Sequence, residues 1–248
     1  MNTVAKIYDF IDSIAPFNTA LPFDNCGILV GDKENQVSSC VIALDMTVSV
    51  LNFAKQNNAS LIITHHPVIF DPIKSVIADD IVYQLIQSNI AVICAHTNLD
   101  LAADGVNDTL ANRLLLTDIV SFENEYNIGR VGKLPRAMSC NELACLIKEK
   151  LFAKVVTFTD CDREIKTVAV LGGEGSDFLY ASKKYDAYIT GEVKHHIYSY
   201  AQNAGIQIFV AGHYETEAVV LTPLKAMLEN EFRDIKFLVY DSSDIKSV

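Results

Sequence analysis

The chain has 248 residues, half of them hydrophobic and 21% charged, with a net charge of −11. That is the composition of a folded globular protein with room for one large α/β domain or two small ones. The acidic balance weighs against a broad electrostatic grip on nucleic acid, and an anionic substrate would need a local positive source such as a metal ion.

Val4, Ile7, Tyr8, Ile11 and Ile14 recur at helical spacing and predict an amphipathic first helix rather than a signal peptide. "CGILVGD" and "VSSCVIALDM" read as strands. A helix over about 49–58 leads to the strand "LIIT", and one over about 79–88 leads to "AVICA". The next helix, in "GVNDTLANRLL", is expected to start at Asn107 or Asp108. From about 117 to 138 the pattern breaks into polar residues and short strands. Alternation then resumes: a helix from Cys140 to Phe152, strands "VVTFT" and "TVAVLGG", and a helix over 176–185 before "AYITGE". A helix over about 194–203 precedes "IQIFVAG", and a long helix over about 215–231 leads to "IKFLVYD". Strands alternating with helices predict mixed or parallel sheets with crossover helices, arranged as two similar α/β halves, 1–120 and 121–248, which can be interleaved as one unit. No apolar run approaches the roughly 18 residues of a membrane helix. The six cysteines (26, 40, 94, 140, 145 and 161) form no C-x-x-C pair, so they read as reduced thiols of a cytoplasmic protein.

The six histidines are not scattered. Each follows an apolar strand pattern: "LIIT-HH" (His65, His66), "AVICA-H" (His96), "AYITGEVK-HH" (His195, His196) and "IFVAG-H" (His213). In open α/β sheets ligands bind beyond the carboxyl ends of the strands. If the strands are mostly parallel, the histidines collect on one edge, placing a site at the strand ends between the halves. Adjacent residues of a strand point to opposite faces, so His65 and His66 are expected just past the strand end. There Pro67 biases His66 toward an extended conformation, and two diverging imidazoles can reach two neighbouring ions.

Carboxylates join them. Asp100 follows His96 by four residues, and Glu217 follows His213 by four, a spacing that brings both side chains to one helix face. The set His65, His66, Asp100, His213 and Glu217 offers three imidazoles and two carboxylates, suited to zinc, iron or manganese. Five protein ligands are many for one ion that must keep an open position, and they fit two divalent ions sharing a carboxylate. The competing reading is that each histidine is a hydrogen-bonded structural residue, which holds for His96 taken alone. His195 and His196 serve equally as ordinary polar residues, supports of a metal ligand or substrate contacts. "LGGEGS" (171–176) has neither the dinucleotide-binding nor the P-loop glycine spacing and reads as a tight turn.

"FDNCGILVGD" (23–32), "ITHHPVIF" (63–70), "AHTNLDLAADGVNDTLANRLLL" (95–116), "YITGEVKHH" (188–196) and "AGHYETE" (211–217) together make the chain similar to the Nif-three-like dinuclear metal-centre proteins, also called GTP cyclohydrolase 1 type 2 homologs. The resemblance spans nearly the whole chain. It implies that His66 and Asp100 serve one ion, that His65 and His213 serve the other, and that Glu217 bridges them. It also implies a toroidal homohexamer. Phe23 stands where that family usually has tryptophan, a change expected to affect packing beside the site. The central domain that some members insert near 118–130 is missing.

The function expected is a metal-dependent hydrolase acting on a nucleotide or related small molecule, with ring opening of GTP implied by the resemblance alone. His196 or His195 and Glu217 are the candidate proton-transfer groups, Glu192 an orienter, and Asp24 and His96 supports of the ligands or substrate contacts. The alternative is metal storage, delivery, sensing or scaffolding without catalysis, in which ions would exchange readily with chelators. A nucleic-acid-binding ring with a local patch of Lys183, Lys184 and Lys194 is the least favoured by the charge.

Overall fold

The computed structural model describes residues 2–159 and 162–243. Cys161, among the cysteines read as reduced thiols, lies outside the described residues. In chain order the elements are α1 (Val4–Ile14), β1 (Gly27–Val30), β2 (Ser39–Ala43), α2 (Val48–Gln56), β3 (Leu61–Thr64), α3 (Ile81–Gln87), β4 (Ala91–Cys94) and α4 (Thr97–Leu101). There follow α5 (Val106–Arg113), β5 (Thr117–Ser121), β6 (Arg130–Met138), α6 (Cys140–Leu151), β7 (Thr157–Phe158), β8 (Ile165–Glu174) and β9 (Ala187–Glu192). The last are α7 (His195–Ala204), β10 (Ile208–Val210), α8 (His213–Glu217), α9 (Leu221–Glu231) and β11 (Lys236–Tyr240).

These elements form two compact units. The first joins the residues up to Ala103 with those from Leu221 on, and the second is Asp104–Val220. The sequence placed the cut at 120/121 instead. The first unit takes back the C-terminal segment because β11 pairs in parallel with β2, Lys236 opposite Ser39 through Tyr240 opposite Ala43.

The first unit is a five-stranded sheet in the order β1-β4-β3-β2-β11. β11, β2, β3 and β4 run parallel, and β1 is antiparallel to β4. Every residue of β2, β3 and β4 is buried. That is why "SCVIA", "LIIT" and "AVIC" are near-continuous apolar runs: helices cover both faces of a parallel sheet. α2 contributes Val50, Leu51 and Ala54 to this core, and α3 contributes Val82 and Leu85. α1 starts at Thr3, whose hydroxyl accepts from the Lys6 amide, and it buries Val4, Ile7 and Ile11 completely. Each such side chain is worth roughly 2 kcal/mol of burial.

The second unit is a six-stranded sheet in the order β5-β6-β8-β9-β10-β7. β8, β9 and β10 are parallel, and the flanking pairs are antiparallel. α6 carries a full capping box between Ser139 and Glu142 and buries Leu143, Ile147 and Leu151.

Four local expectations give way to side-chain competition or to proline. α5 starts after Gly105, because Asn107 accepts instead from the Gly172 amide at 2.9 Å and Asp108 is paired with Arg130. The helix expected over 176–185 is two short 3-10 turns, Ser176–Phe178 and Ala181–Lys184. There the buried Ser182 hydroxyl donates to the Leu179 carbonyl at 2.6 Å, diverting the helical pattern. The helix expected over 215–231 breaks into α8, a 3-10 turn at Ala218–Val220 and α9. Pro223 cannot continue a helix from the preceding turn, and the restart leaves it in a first turn where its missing N–H costs nothing. The short strands expected before Met138 include a nine-residue β6, whose register with β8 shifts between Lys133 and Met138, around Pro135.

Candidate metal centre

β3 ends at Thr64, so His65 and His66 lie just beyond it, as the strand pattern predicts. Their amides still bond to β2's extension: His65 N donates to Ala43 O at 3.2 Å and His66 N to Leu44 O at 2.9 Å. The chain bends there, and the two rings do not diverge. Their centroids are 5.2 Å apart with planes tilted by 39°. β4 ends at Cys94, and His96 follows as the N-cap of α4. The His96 ring centroid lies 5.2 Å from that of His65 and 5.5 Å from that of His66. One ligand nitrogen from each of the three lies within 4.8 Å of the other two. Asp100, one turn into α4, places Oδ1 3.6 Å from His65 Nε2, both residues being buried.

Each imidazole of the first unit is fixed through Nδ1. His65 Nδ1 lies 2.9 Å from the Ala95 carbonyl, His66 Nδ1 2.7 Å from Asp45 Oδ1, and His96 Nδ1 2.8 Å from Asp24 Oδ1. A carbonyl or carboxylate at Nδ1 makes that nitrogen the donor and gives Nε2 the lone pair, the tautomer that metal-binding histidines adopt. Asp24 reaches His96 from a tight turn, in which Asp24 N donates to Leu21 O at 2.9 Å. The same carboxylate accepts from the Thr97 amide at 3.0 Å, the Thr97 hydroxyl, and the Cys26 thiol at 3.1 Å. Burial by itself would raise the Asp24 pKa, but the hydrogen bonds from His96 and Thr97 outweigh it and hold the carboxyl well below the usual range.

In the second unit α8 opens at Gly212, directly after β10, and carries His213 and Glu217 on one face. His213 Nε2 is 2.9 Å from Glu217 Oε2, as their four-residue spacing predicts. His213 Nδ1 is 3.2 Å from Glu192 Oε1, so Glu192, expected to orient His195 or His196, sits on His213 instead. Gly173, at the end of β8, keeps the space beside this pair open. A Cβ there would lie 2.1 Å from Glu217 Oε1 and 3.1 Å from His213 Nε2, and the residue has φ +70°. Thr216 anchors the turn, its hydroxyl accepting from the Gly173 amide at 3.1 Å.

His195 and His196 are exposed on the first turn of α7, with the His196 ring 5.3 Å from that of Tyr200. Lys184, in the basic patch considered for nucleic acid, is ion-paired with Glu123. Phe23 is largely exposed, 6.5 Å by ring centroid from the half-exposed Phe70, so it packs against a loop beyond the histidines rather than into the core. Asp45 was not anticipated. It stands two residues past the end of β2, a polar residue just beyond a strand end like the histidines.

Imidazoles whose Nδ1 partners leave the lone pair on Nε2, buried carboxylates beside them and a glycine that leaves room at Glu217 fit a divalent ion of borderline hardness. A sequence profile of the Duf34/NIF3 (NGG1p interacting factor 3) family matches residues 2–245, and the chain belongs to that family. It is 34% identical over 246 residues to a GTP cyclohydrolase 1 type 2 homolog of Clostridium perfringens, covering 94% of each chain. Its fold is similar to that of the Staphylococcus aureus hypothetical protein SA1388, with a TM-score of 0.92, 28% identity and 99% of each chain covered. A Bacillus cereus protein related to NIF3 has the same fold, with a TM-score of 0.94 at 21% identity over 100% of this chain and 99% of that one. Among the described residues no helix is long and apolar enough to cross a membrane.

Proposed function

We propose that the protein is a cytoplasmic, metal-dependent hydrolase acting on a nucleotide or related small molecule, with two divalent ions per chain held by His65, His66, Asp100, His213 and Glu217. The observation that carries this reading is the shared pattern of the four site imidazoles. His65, His66, His96 and His213 each have Nδ1 within 3.2 Å of an oxygen acceptor, which fixes the ring orientation of all four and, for the first three, the tautomer. Membership of the Duf34/NIF3 family and the name of the Clostridium perfringens relative support the reaction class.

Divalent ions held by this set would supply Lewis-acid chemistry, lowering the pKa of a water and polarising a substrate oxygen. The chain's own residues do the rest. Ala95, Asp45, Asp24 and Glu192 hold the rings; Asp100 and Glu217 bring negative charge that balances the ions in a buried setting. His66 and Asp100 are assigned to one ion, His65 and His213 to the other, and Glu217 to both, which makes Glu217 the group nearest the chemistry. His195 and His196 are exposed, as a group exchanging protons with solvent must be. The reading extends to a toroidal homohexamer, which native mass spectrometry would show as six chains.

The test is to incubate metal-loaded protein with GTP and a panel of nucleotides and to follow products by mass spectrometry. Turnover is expected to vanish in Glu217→Gln and His65→Ala. Turnover equal to wild type in both would sink the assignment.

A further inference from the structure

His96 is not among the five ligands assigned above, yet its geometry matches theirs. The three ring centroids of His65, His66 and His96 form a nearly equilateral triangle with sides of 5.2, 5.2 and 5.5 Å. A tetrahedral ion predicts that size. With nitrogen–metal distances of about 2.05 Å and roughly 1.2 Å more to each ring centre, three imidazoles around one ion have centroids about 5.3 Å apart. The planes are inclined by 39°, 74° and 84°, so the three rings do not stack in parallel. Their ligand nitrogens lie within 4.8 Å of one another.

Each ring is also braced from behind by a different element: the end of β4 through Ala95, the segment after β2 through Asp45, and the turn before β1 through Asp24. One brace on each of three clustered rings, each from a different element, holds the rings as a metal site needs. All three rings and all three braces belong to the first unit.

We propose that His96 is a further metal ligand, and that His65, His66 and His96 form a three-imidazole site that takes the first divalent ion without help from the second unit. Its fourth position is left to water or substrate, as in catalytic zinc sites with three protein ligands. Sharing His65 and His66 between two ions then belongs to the fully loaded protein. The inference rests on the metal-binding reading above and specifies the order of loading.

The test is a cobalt(II) titration of the metal-free full-length protein, read by visible absorption and by bound cobalt per chain. The variant His213→Ala/Glu217→Gln is expected to retain one tightly bound ion, with the intense spectrum of four-coordinate cobalt. Adding His96→Ala should weaken that ion about a hundredfold and bleach the spectrum; Asp24→Asn, which keeps the imidazole but takes the charge from its brace, should weaken it about tenfold. His96→Gln can still donate to Asp24 but lacks the imidazole, so it separates loss of a ligand from loss of fold and should behave as His96→Ala does. If wild type binds two ions while His96→Ala and His96→Gln leave the affinity and spectrum of the first unchanged, the three-imidazole site is overturned and the two-ion reading stands. If the His213→Ala/Glu217→Gln variant binds no ion tightly, the first unit is not self-sufficient and the proposal fails. If wild type binds none, both readings fall.

Discussion

Nδ1 of His96 sits 2.8 Å from Oδ1 of Asp24, across 72 residues of sequence. The bond fixes which face His96 presents, and it keeps Asp24 ionised although its side chain has no exposed surface. A carboxyl whose native pKa lies below its unfolded value of about 3.9 adds stability that is fully present above that value and is lost as pH falls toward the native one. In metal-free protein, Asp24→Asn should therefore cost about 2 kcal/mol between pH 5 and 8, the worth of hydrogen bonds to a buried charge. The gap from wild type should narrow as the pH drops below about 4. Urea unfolding at several pH values checks this, and a gap that widens on acidification would show that Asp24 is not the stabilising ion.

Gly173 leaves no room for a side chain beside Glu217. An alanine Cβ would collide with Glu217 Oε1, on backbone already at φ +70°. Gly173→Ala is expected to destabilise by about 1–3 kcal/mol and to displace the Glu217 carboxylate. Thermal unfolding and metal content should fall together. A variant that melts and binds metal like wild type would mean that the space beside Glu217 is not tightly specified.

Much of this arrangement was legible in the sequence. The buried parallel strands announced themselves as apolar runs, and the histidines as residues just past them. The His213–Glu217 pair followed from a four-residue spacing on a helix. The braces were less visible. Asp45, Asp24 and Glu192 reach their imidazoles across 21, 72 and 21 residues, contacts fixed by how strands are ordered in a sheet rather than by local pattern. The return of β11 to β2 was hidden for the same reason, since a parallel pairing of the last strand with the second leaves no mark on either sequence. Local expectations failed where a side chain competed with the backbone, as at Ser182 and Asn107, or where proline broke a helix, as at Pro223.

Phe152 ends α6 in the left-handed region at φ 55°, and the residue is 82% exposed. It forgoes little burial and carries the strain of a bulky residue in a conformation suited to glycine. Phe152→Gly should stabilise the protein by about 1 kcal/mol, seen as a small rise in melting temperature. A fall in melting temperature would place the ring in a contact important to the folded state.

His195 and His196 separate metal binding from proton transfer. Both are exposed at the start of α7, and neither is assigned to an ion. His195→Ala and His196→Ala should retain the full metal content, while the variant lacking the working proton shuttle should lose roughly a hundredfold in turnover. Elemental analysis beside a product assay reads both, and loss of metal in either variant would move that histidine into the ligand set.

Elemental analysis of the purified protein after loading with zinc, iron or manganese and removal of loosely bound ions tests the metal centre most directly. Two divalent ions per wild-type chain are expected, with none retained when His65→Ala, Asp100→Asn and Glu217→Gln are combined. A wild-type chain that holds no ion, or a triple variant that holds as many as wild type, would contradict the account.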